Sequence, residues 1–250
     1  MSAKHQNSTT EKSIKSRNRR VIAGLQKTTL IDYPGKVAAT VFLAGCNFRC
    51  PWCYSPELVI PEKIKEGQKI TESEFREFLD SKKGLLQGIV VCGGEPTINN
   101  DLPDFLRKIK EKGFLIKLDT NGSNPDMLSE LISKKLIDYV AMDIKAPKEK
   151  YYLATGEKAD IKKIEESVLI LKNGRVDYEF RTTVCPLFLD KKDILEIAKW
   201  LSGAKRYYLQ NFRAEKNIDP KLKGVRPYDD KYLLEIKKEI SPFFEFCAIR

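Results

Sequence analysis

Three cysteines within eight residues are the clearest chemical feature of the sequence. Cys46, Cys50 and Cys53 follow the spacing C-x3-C-x2-C, which folds three thiols around one loop. Thiolates are soft ligands that suit zinc or iron–sulfur clusters. A structural zinc site normally has four Cys or His ligands, whereas three thiolates fit a [4Fe-4S] cluster with one iron left open to bind a substrate. A zinc site completed by Cys92 or Cys185 is the alternative.

The other cysteines and the single histidine narrow the possible chemistry. His5 lies near the start of the chain, so Ser-His-Asp and Cys-His catalysis and His-ligated metal sites are not expected further on. Cys92, Cys185 and Cys247 each follow or end an apolar run and are interpreted as packing residues. Because no secretory signal is recognisable, we expect reduced thiols and a cytoplasmic location.

Glycine-rich and polar segments mark the ends of the later predicted strands. They include Gly93-Gly94-Glu95-Pro96, Asp119-Thr120-Asn121, Asp143 with Lys145, and Arg181. The carboxyl ends of parallel strands meet on one face, where the chemistry of α/β folds gathers. Each segment has an ordinary interpretation as a turn or an ion pair. Their convergence with the cysteine loop favours a common site.

Short β-branched runs alternate with amphipathic stretches along the chain. Strands are predicted over 37–43, 88–92, 114–118, 137–144, 178–184, 206–209 and 244–249, and helices from 71 and over 102–113, 125–135, 161–172, 191–201 and 228–240. This alternation predicts parallel strands with right-handed helical crossovers, as in an open doubly wound sheet or part of a barrel. Eight units would close a barrel of about 250 residues. The six units seen here favour an α/β fold of the incomplete (β/α)6 barrel type.

The charge of the chain is unevenly distributed. Of the 250 residues, 45 are Lys or Arg and 35 are Asp or Glu, and half of the resulting +10 falls in residues 1–20. We predict a disordered basic tail over 1–20 and one domain over 21–250. The domain lacks a basic stripe with interleaved aromatics, so no nucleic-acid partner is expected. No apolar run approaches the ~18–20 residues of a membrane span, so no membrane partner is expected either.

The cysteine spacing, with Trp52 before the third cysteine, resembles the radical S-adenosylmethionine (SAM) superfamily. One βα unit later, Gly93-Gly94-Glu95 resembles the GGE motif of that superfamily. The resemblance implies that the three cysteines ligate a [4Fe-4S] cluster whose open iron binds SAM. It also implies that the adenine lies near Trp52 and that Glu95 accepts hydrogen bonds from the methionyl amino group.

A longer pattern resembles the activating enzymes of glycyl-radical enzymes, in particular those of anaerobic ribonucleoside-triphosphate reductase. It comprises Asp32-Tyr-Pro-Gly35, Phe42, Gly45-Cys46, Arg49-Cys50, Trp52-Cys53 and Pro56-Glu57, and the similarity extends over residues 22–245. The groups implied to hold the ribose and carboxylate of SAM are Asp119, Thr120, Asn121, Asp143, Lys145 and Arg181. Asp119 and Thr120 are also implied to hold a monovalent cation. Tyr33 and Tyr54-Ser55 depart from the Gly and His-Asn of many activating enzymes.

The resemblance implies an oxidoreductase. A flavodoxin or ferredoxin would reduce the cluster, SAM would be cleaved, and the 5′-deoxyadenosyl radical would take a hydrogen atom from a glycine of a partner enzyme. One alternative is a radical SAM enzyme that acts on RNA or a small molecule. Another is a non-catalytic metal-binding module whose basic arm binds nucleic acid.

Overall fold

The strands of the computed structural model, which describes residues 20–156 and 159–250, form a single sheet of eight. They are β1 (Ile22–Thr29), β2 (Ala38–Leu43), β3 (Gly88–Gly93), β4 (Leu115–Thr120), β5 (Tyr139–Asp143), β6 (Asp177–Val184), β7 (Ala204–Asn211) and β8 (Phe244–Ile249). β1 is antiparallel to β2, and every later strand is parallel to its neighbour. Within the described residues β1 and β8 are the two edges and do not pair. The predicted α/β fold with an incomplete barrel of parallel strands is confirmed.

Nine α-helices lie within the described residues. They are α1 (Pro56–Val59), α2 (Pro61–Glu66), α3 (Glu72–Ser81), α4 (Leu102–Lys110), α5 (Pro125–Ser133), α6 (Tyr151–Thr155), α7 (Ile161–Asn173), α8 (Lys191–Trp200) and α9 (Asp230–Ile240). The helices α3, α4, α5, α7, α8 and α9 each connect two consecutive parallel strands. The six predicted βα units are therefore present, with boundaries that differ by a few residues.

The start of α3 shows how the sequence positions a crossover helix. The Thr71 hydroxyl accepts a hydrogen bond from the Glu74 N–H, and the Glu74 carboxylate accepts one from the Thr71 N–H, so the predicted capping box is present. Phe75 and Leu79, four residues apart, lie on the buried face of this helix. Their burial fixes α3 against the main apolar core between the sheet and its helices.

The sheet contains one strand that the sequence analysis did not predict. β1 has the sequence IAGLQKTT, and most of it is exposed or half-buried. It pairs along the outer edge of β2, with Ile22 opposite Leu43 and Thr29 opposite Ala38. Because only its two ends are buried, it lacks the apolar run by which the other strands were recognised.

The predicted tail boundary needs a correction of one residue. Residues 1–19 of the predicted tail lie outside the described residues. Arg20 is buried and pairs with Glu72 at 2.8 Å and with Asp101 at 2.5 Å. Its guanidinium lies 4.2 Å from the centre of the Phe105 ring. Arg20 therefore belongs to the domain.

In the described part of the chain, no helix is both long and apolar enough to cross a membrane.

Candidate functional site

Two glycines join the end of β3 to the segment that leads into the cysteine loop. The Gly94 N–H donates to the Leu43 carbonyl at 2.8 Å, and the Glu95 N–H donates to the Gly45 carbonyl at 2.7 Å. A Cβ at Gly93, whose φ is +130°, would lie 2.1 Å from the Leu43 oxygen, and one at Gly94 would lie 2.0 Å from the Gly45 oxygen. Glycine is required at both positions because two backbone segments touch.

Glu95 is enclosed by hydrogen-bond donors of the chain itself. Its Oε1 accepts from the Thr97 N–H at 3.0 Å and from the hydroxyls of Thr97 and Thr120, and its Oε2 accepts from the Asn121 N–H at 2.6 Å. Burial raises the pKa of this carboxyl, while the four donors oppose the shift. Glu95 is 1% exposed and lies behind the wall of the cavity described next. It therefore ties the end of β3 to the end of β4.

The three thiols of the cysteine loop share a cavity of about 330 Å³ at the carboxyl ends of the strands. Cys50 is buried, and Cys46 and Cys53 are half-buried. Burial raises the pKa of Cys46 to about 12 and that of Cys50 to about 11, and it also raises the pKa of Cys53. The ammonium of Lys145 opposes all three shifts. The site therefore places a positive charge where thiolates would need one.

The arrangement of these thiols distinguishes between the two expected metal groups. Among the described residues, no three His, Cys, Asp or Glu side chains converge on one point to hold a single metal ion. A zinc site completed by Cys92 or Cys185 requires such convergence, so the geometry does not support it. In a [4Fe-4S] cluster each thiolate binds a different iron. Three thiols on one loop that face one cavity fit that donor set.

Five charged side chains of alternating sign line up at the ends of β4, β5 and β6. Arg181 donates to Asp119 at 2.9 Å and to Asp143 at 2.8 Å; Lys117 pairs with Asp119, and Lys145 pairs with Asp143 at 3.0 Å. Burial alone would raise the carboxyl pKa values, but these cations hold the pKa of both Asp119 and Asp143 below the usual range. The row carries three positive and two negative charges, but Lys117 is buried and does not line the cavity. Arg181 and Lys145 do line it, and their charges are placed to pair with a carboxylate group of a ligand.

The expected monovalent cation does not fit this row of charges. Both oxygens of Asp119 and both oxygens of Asp143 accept from Lys or Arg side chains of the chain itself. The Thr120 hydroxyl donates to Glu95 and accepts from the Gly122 N–H at 3.1 Å. The oxygen atoms that were expected to bind the cation are therefore already engaged.

Apart from Glu95, every predicted site residue lies on the wall of the cavity. Besides the thiols and the charged row, the lining includes Trp52, Gly93, Gly94, Thr120 and Asn121. Trp52 is 3% exposed, and its ring packs against Phe188 with 5.1 Å between centroids. It therefore combines a packing role with a position at the cavity.

Three further lining residues were not assigned a role from the sequence. Tyr54, Thr183 and Gln210 line the cavity. Tyr54 directly follows the third cysteine, and Thr183 lies two residues after Arg181, on the same side of its strand. Cys92, interpreted as packing, lines the cavity too, and burial raises its pKa to about 12. The alternation of strand residues is the signal that could have identified Cys92 and Thr183.

A second, larger cavity is unrelated to the cysteines. It has a volume of about 500 Å³ and lies between α3 and α4, where Arg20, Phe75 and Phe105 contribute to its wall. None of the residues that line it is a cysteine.

Comparisons with known proteins agree with this geometry. The family model described as the radical SAM superfamily matches residues 40–201. A protein of Methanocaldococcus jannaschii named as a glycyl-radical enzyme activating enzyme is 34% identical over 92% of this chain and 95% of its own length. The pyruvate formate-lyase-activating enzyme of Clostridium pasteurianum is 24% identical over 90% of this chain and 98% of its own length. Streptococcus suis SuiB bound to S-adenosylmethionine has a similar fold, with a TM-score of 0.61 and 13% identity over 81% of this chain and 48% of that one.

Proposed function

This chain belongs to the radical SAM superfamily, and we propose that it activates a glycyl-radical enzyme, specifically an anaerobic ribonucleoside-triphosphate reductase. One observation carries the proposal: the three thiols of the cysteine loop open into the same cavity as Arg181 and Lys145 and the two carboxylates that hold them. Names of the relatives that match nearly the whole chain support activation of a glycyl-radical enzyme. We choose the reductase as the partner because of the sequence signature over residues 32–57.

Within this proposal the chain holds two groups that the superfamily uses, a [4Fe-4S] cluster and SAM. Cys46, Cys50 and Cys53 would ligate the cluster. When bound, the cluster would pass one electron from an external donor to SAM, whose cleavage to methionine would supply a 5′-deoxyadenosyl radical that can remove a hydrogen atom from glycine. Every other contribution comes from the protein, which positions these groups and excludes water.

The row of charges is suited to the carboxylate and ribose of SAM. The Lys145 ammonium pairs with Asp143 at 3.0 Å and remains at the cavity wall. Asp143 and Arg181 fix each other at 2.8 Å, so their side chains are ordered before a ligand binds. Asp119, Thr120 and Asn121 complete this wall, and Trp52 is the residue we assign to the adenine. Preorganised charges lose little free energy to reorganisation when the ligand arrives.

Anaerobic reconstitution with iron and sulfide tests the proposal. We expect about four irons per chain and formation of 5′-deoxyadenosine from SAM with dithionite as reductant. Mixing the reduced protein with purified reductase and SAM should then produce a glycyl radical visible by electron paramagnetic resonance. Deoxyadenosine without a protein radical would contradict the proposed partner. The RNA and small-molecule alternatives would then be the ones to examine.

A further inference from the structure

A segment that follows β7 lies directly on the cysteine loop. The Ile218 N–H donates to the Cys53 carbonyl at 3.1 Å, and the Asp219 N–H donates to the Pro51 carbonyl at 3.0 Å. The Asn217 amide donates to the carbonyl of Trp52 at 3.3 Å. Three consecutive carbonyls of the loop are thus held by three consecutive residues that come some 165 positions later in the chain. This segment therefore forms the outer cover of the loop.

Most of the exposed charged side chains of this segment, residues 213–226, are basic. We define the cover surface by its five exposed basic side chains, Arg213, Lys216, Lys221, Lys223 and Arg226. Two acidic residues lie among them, and one of these, Asp219, accepts from the Lys221 N–H at 2.9 Å. The cover surface therefore has an excess of positive charge.

The basic side chains of the cover surface differ from other exposed lysines of the chain in their ion pairing. Within the described residues none of the five forms an ion pair, whereas exposed lysines elsewhere do, such as Lys191 with Glu239 at 2.6 Å and Lys199 with Glu196 at 2.7 Å. Five unpaired cations on one segment repel one another. A docked acidic surface would remove that repulsion.

We infer that the cover surface is the docking site for an acidic electron-transfer protein, a small carrier of one electron at low potential. The inference rests on the proposed function, because a reducible cluster must receive an electron from outside. A carrier bound there would be separated from the cysteine loop by a single segment of chain. Charge complementarity raises the rate of such encounters by about 10- to 1000-fold at low ionic strength.

A nucleic acid fits the cover surface less well. Proteins that bind single strands combine basic residues with aromatic side chains on which bases stack. Residues 213–226 contain no aromatic side chain. Their positive charge is also confined to one short segment, whereas a duplex binder needs a stripe or patch that follows the phosphate backbone.

Charge reversal of three lysines tests the inference in the full chain. The variant carries Lys216→Glu, Lys221→Glu and Lys223→Glu. The matched control carries Lys27→Glu, Lys135→Glu and Lys238→Glu, three exposed residues at the opposite ends of the strands. The rate of cluster reduction is followed optically, once with a flavodoxin hydroquinone and once with dithionite.

We expect the flavodoxin rate of the variant to fall by about 10-fold or more at low salt and to lose its salt dependence. The dithionite rate should be unchanged, and the control should behave as wild type in both assays. An unchanged flavodoxin rate would overturn the inference. So would a parallel loss of both rates, since the substitutions would then disturb the cluster itself.

Two further measurements distinguish an electron carrier from other partners of the cover surface. They also keep a failure of the inference distinct from a failure of the proposed function. If dithionite-driven glycyl-radical formation fails in the variant while cluster reduction by flavodoxin is normal, the cover surface binds the partner enzyme and the inference is wrong. Salt-sensitive binding of an oligonucleotide, lost in the variant with flavodoxin reduction unchanged, would also overturn it. Absence of a glycyl radical in wild type would reject the proposed function, while the reduction rates would still test the docking site.

Discussion

Gly94 and Gly45 are in backbone contact: a Cβ on Gly94 would lie 2.0 Å from the Gly45 carbonyl oxygen. The residue after Gly94 donates its N–H to that same oxygen at 2.7 Å. Gly45 immediately precedes the first cysteine of the loop. The glycine pair at the end of β3 therefore fixes the position from which the cysteine loop departs.

The substitution Gly94→Ala should prevent normal cluster assembly. The methyl group cannot fit without moving Gly45, and backbone atoms yield far less easily than the end of a flexible side chain. We expect the iron content after reconstitution to fall well below the about four irons expected for wild type. Gly67→Ala is the control, because its Cβ would lie 3.5 Å from the Lys63 carbonyl, an ordinary contact. Full iron content in Gly94→Ala would show that the loop can shift freely.

The substitution Cys50→Ala should abolish both iron binding and SAM cleavage. Two thiolates cannot replace the three that ligate the cluster, and Cys50 lies on the wall of the same cavity as the other two thiols. The matched control is Cys247→Ala on β8, a half-buried cysteine outside the cavity. Iron analysis and 5′-deoxyadenosine formation give the readout. Turnover by Cys50→Ala would refute the ligand assignment.

Asp143→Asn should reduce stability in a pH-dependent way. The neighbouring cations hold the pKa of Asp143 below its unfolded value of about 3.9, so its ionised form stabilises the fold above that pH. Because Asp143 is half-buried, removing this partner of Arg181 should cost about 1–2 kcal/mol of unfolding free energy, less than for a fully buried pair. Because Asn does not titrate, the difference from wild type should shrink as the pH falls from about 5 towards 2.

Chemical denaturation of the apoprotein over this pH range measures that difference. Asp126→Asn, an exposed residue in the first turn of α5, is the control and should change stability by less than about 0.5 kcal/mol at every pH. A difference for Asp143→Asn that stayed constant below pH ~4 would mean that the carboxyl is not stabilised by its cations.

SAM binding should not require an alkali metal ion. The four carboxylate oxygens of Asp119 and Asp143 already accept from Lys and Arg side chains. Exchange of potassium for tetramethylammonium should change the Kd for SAM by less than about twofold, or about 0.4 kcal/mol. In Arg181→Ala one oxygen of each carboxylate becomes free, so potassium should tighten SAM binding to that variant. A large potassium effect on wild type would show that a cation displaces Arg181.

The strands could be predicted from the sequence wherever their burial produces a local pattern of apolar residues. Strands such as β2 and β3 are buried on both faces and read as continuous apolar runs. β1 could not be recognised, because its pairing with β2 depends on a contact between Ile22 and Leu43 rather than on its own composition.

The site residues, too, could be predicted from the sequence only in part. Asp143 and Arg181 could be predicted, because the carboxyl ends of adjacent parallel strands necessarily meet. The orientation of Glu95 could not, because it depends on the hydroxyl of Thr120, 25 residues further along the chain. The contact between Asn217 and the cysteine loop leaves no periodic signal at all.

The last prediction concerns a buried carboxylate inside the sheet. Glu179 is completely buried and receives a bidentate ion pair from Arg250, with distances of 2.7 and 3.0 Å, and a hydrogen bond from the Tyr139 hydroxyl at 2.8 Å. The Arg250 guanidinium also lies 3.5 Å from the centre of the Tyr208 ring. Because Arg250 directly follows β8, this pair fixes the edge strand to β6.

Arg250→Ala should therefore lower stability by about 3 kcal/mol, or lower the Tm by roughly 6–12 °C, because it leaves a buried charge with a single hydroxyl donor. Adding Glu179→Gln removes that charge, so the double variant should regain part of the loss. Thermal unfolding of the two single variants and the double variant measures the coupling free energy of the pair. If the two losses simply add, Glu179 and Arg250 do not stabilise each other, and β8 is held by its backbone ladder and apolar contacts alone.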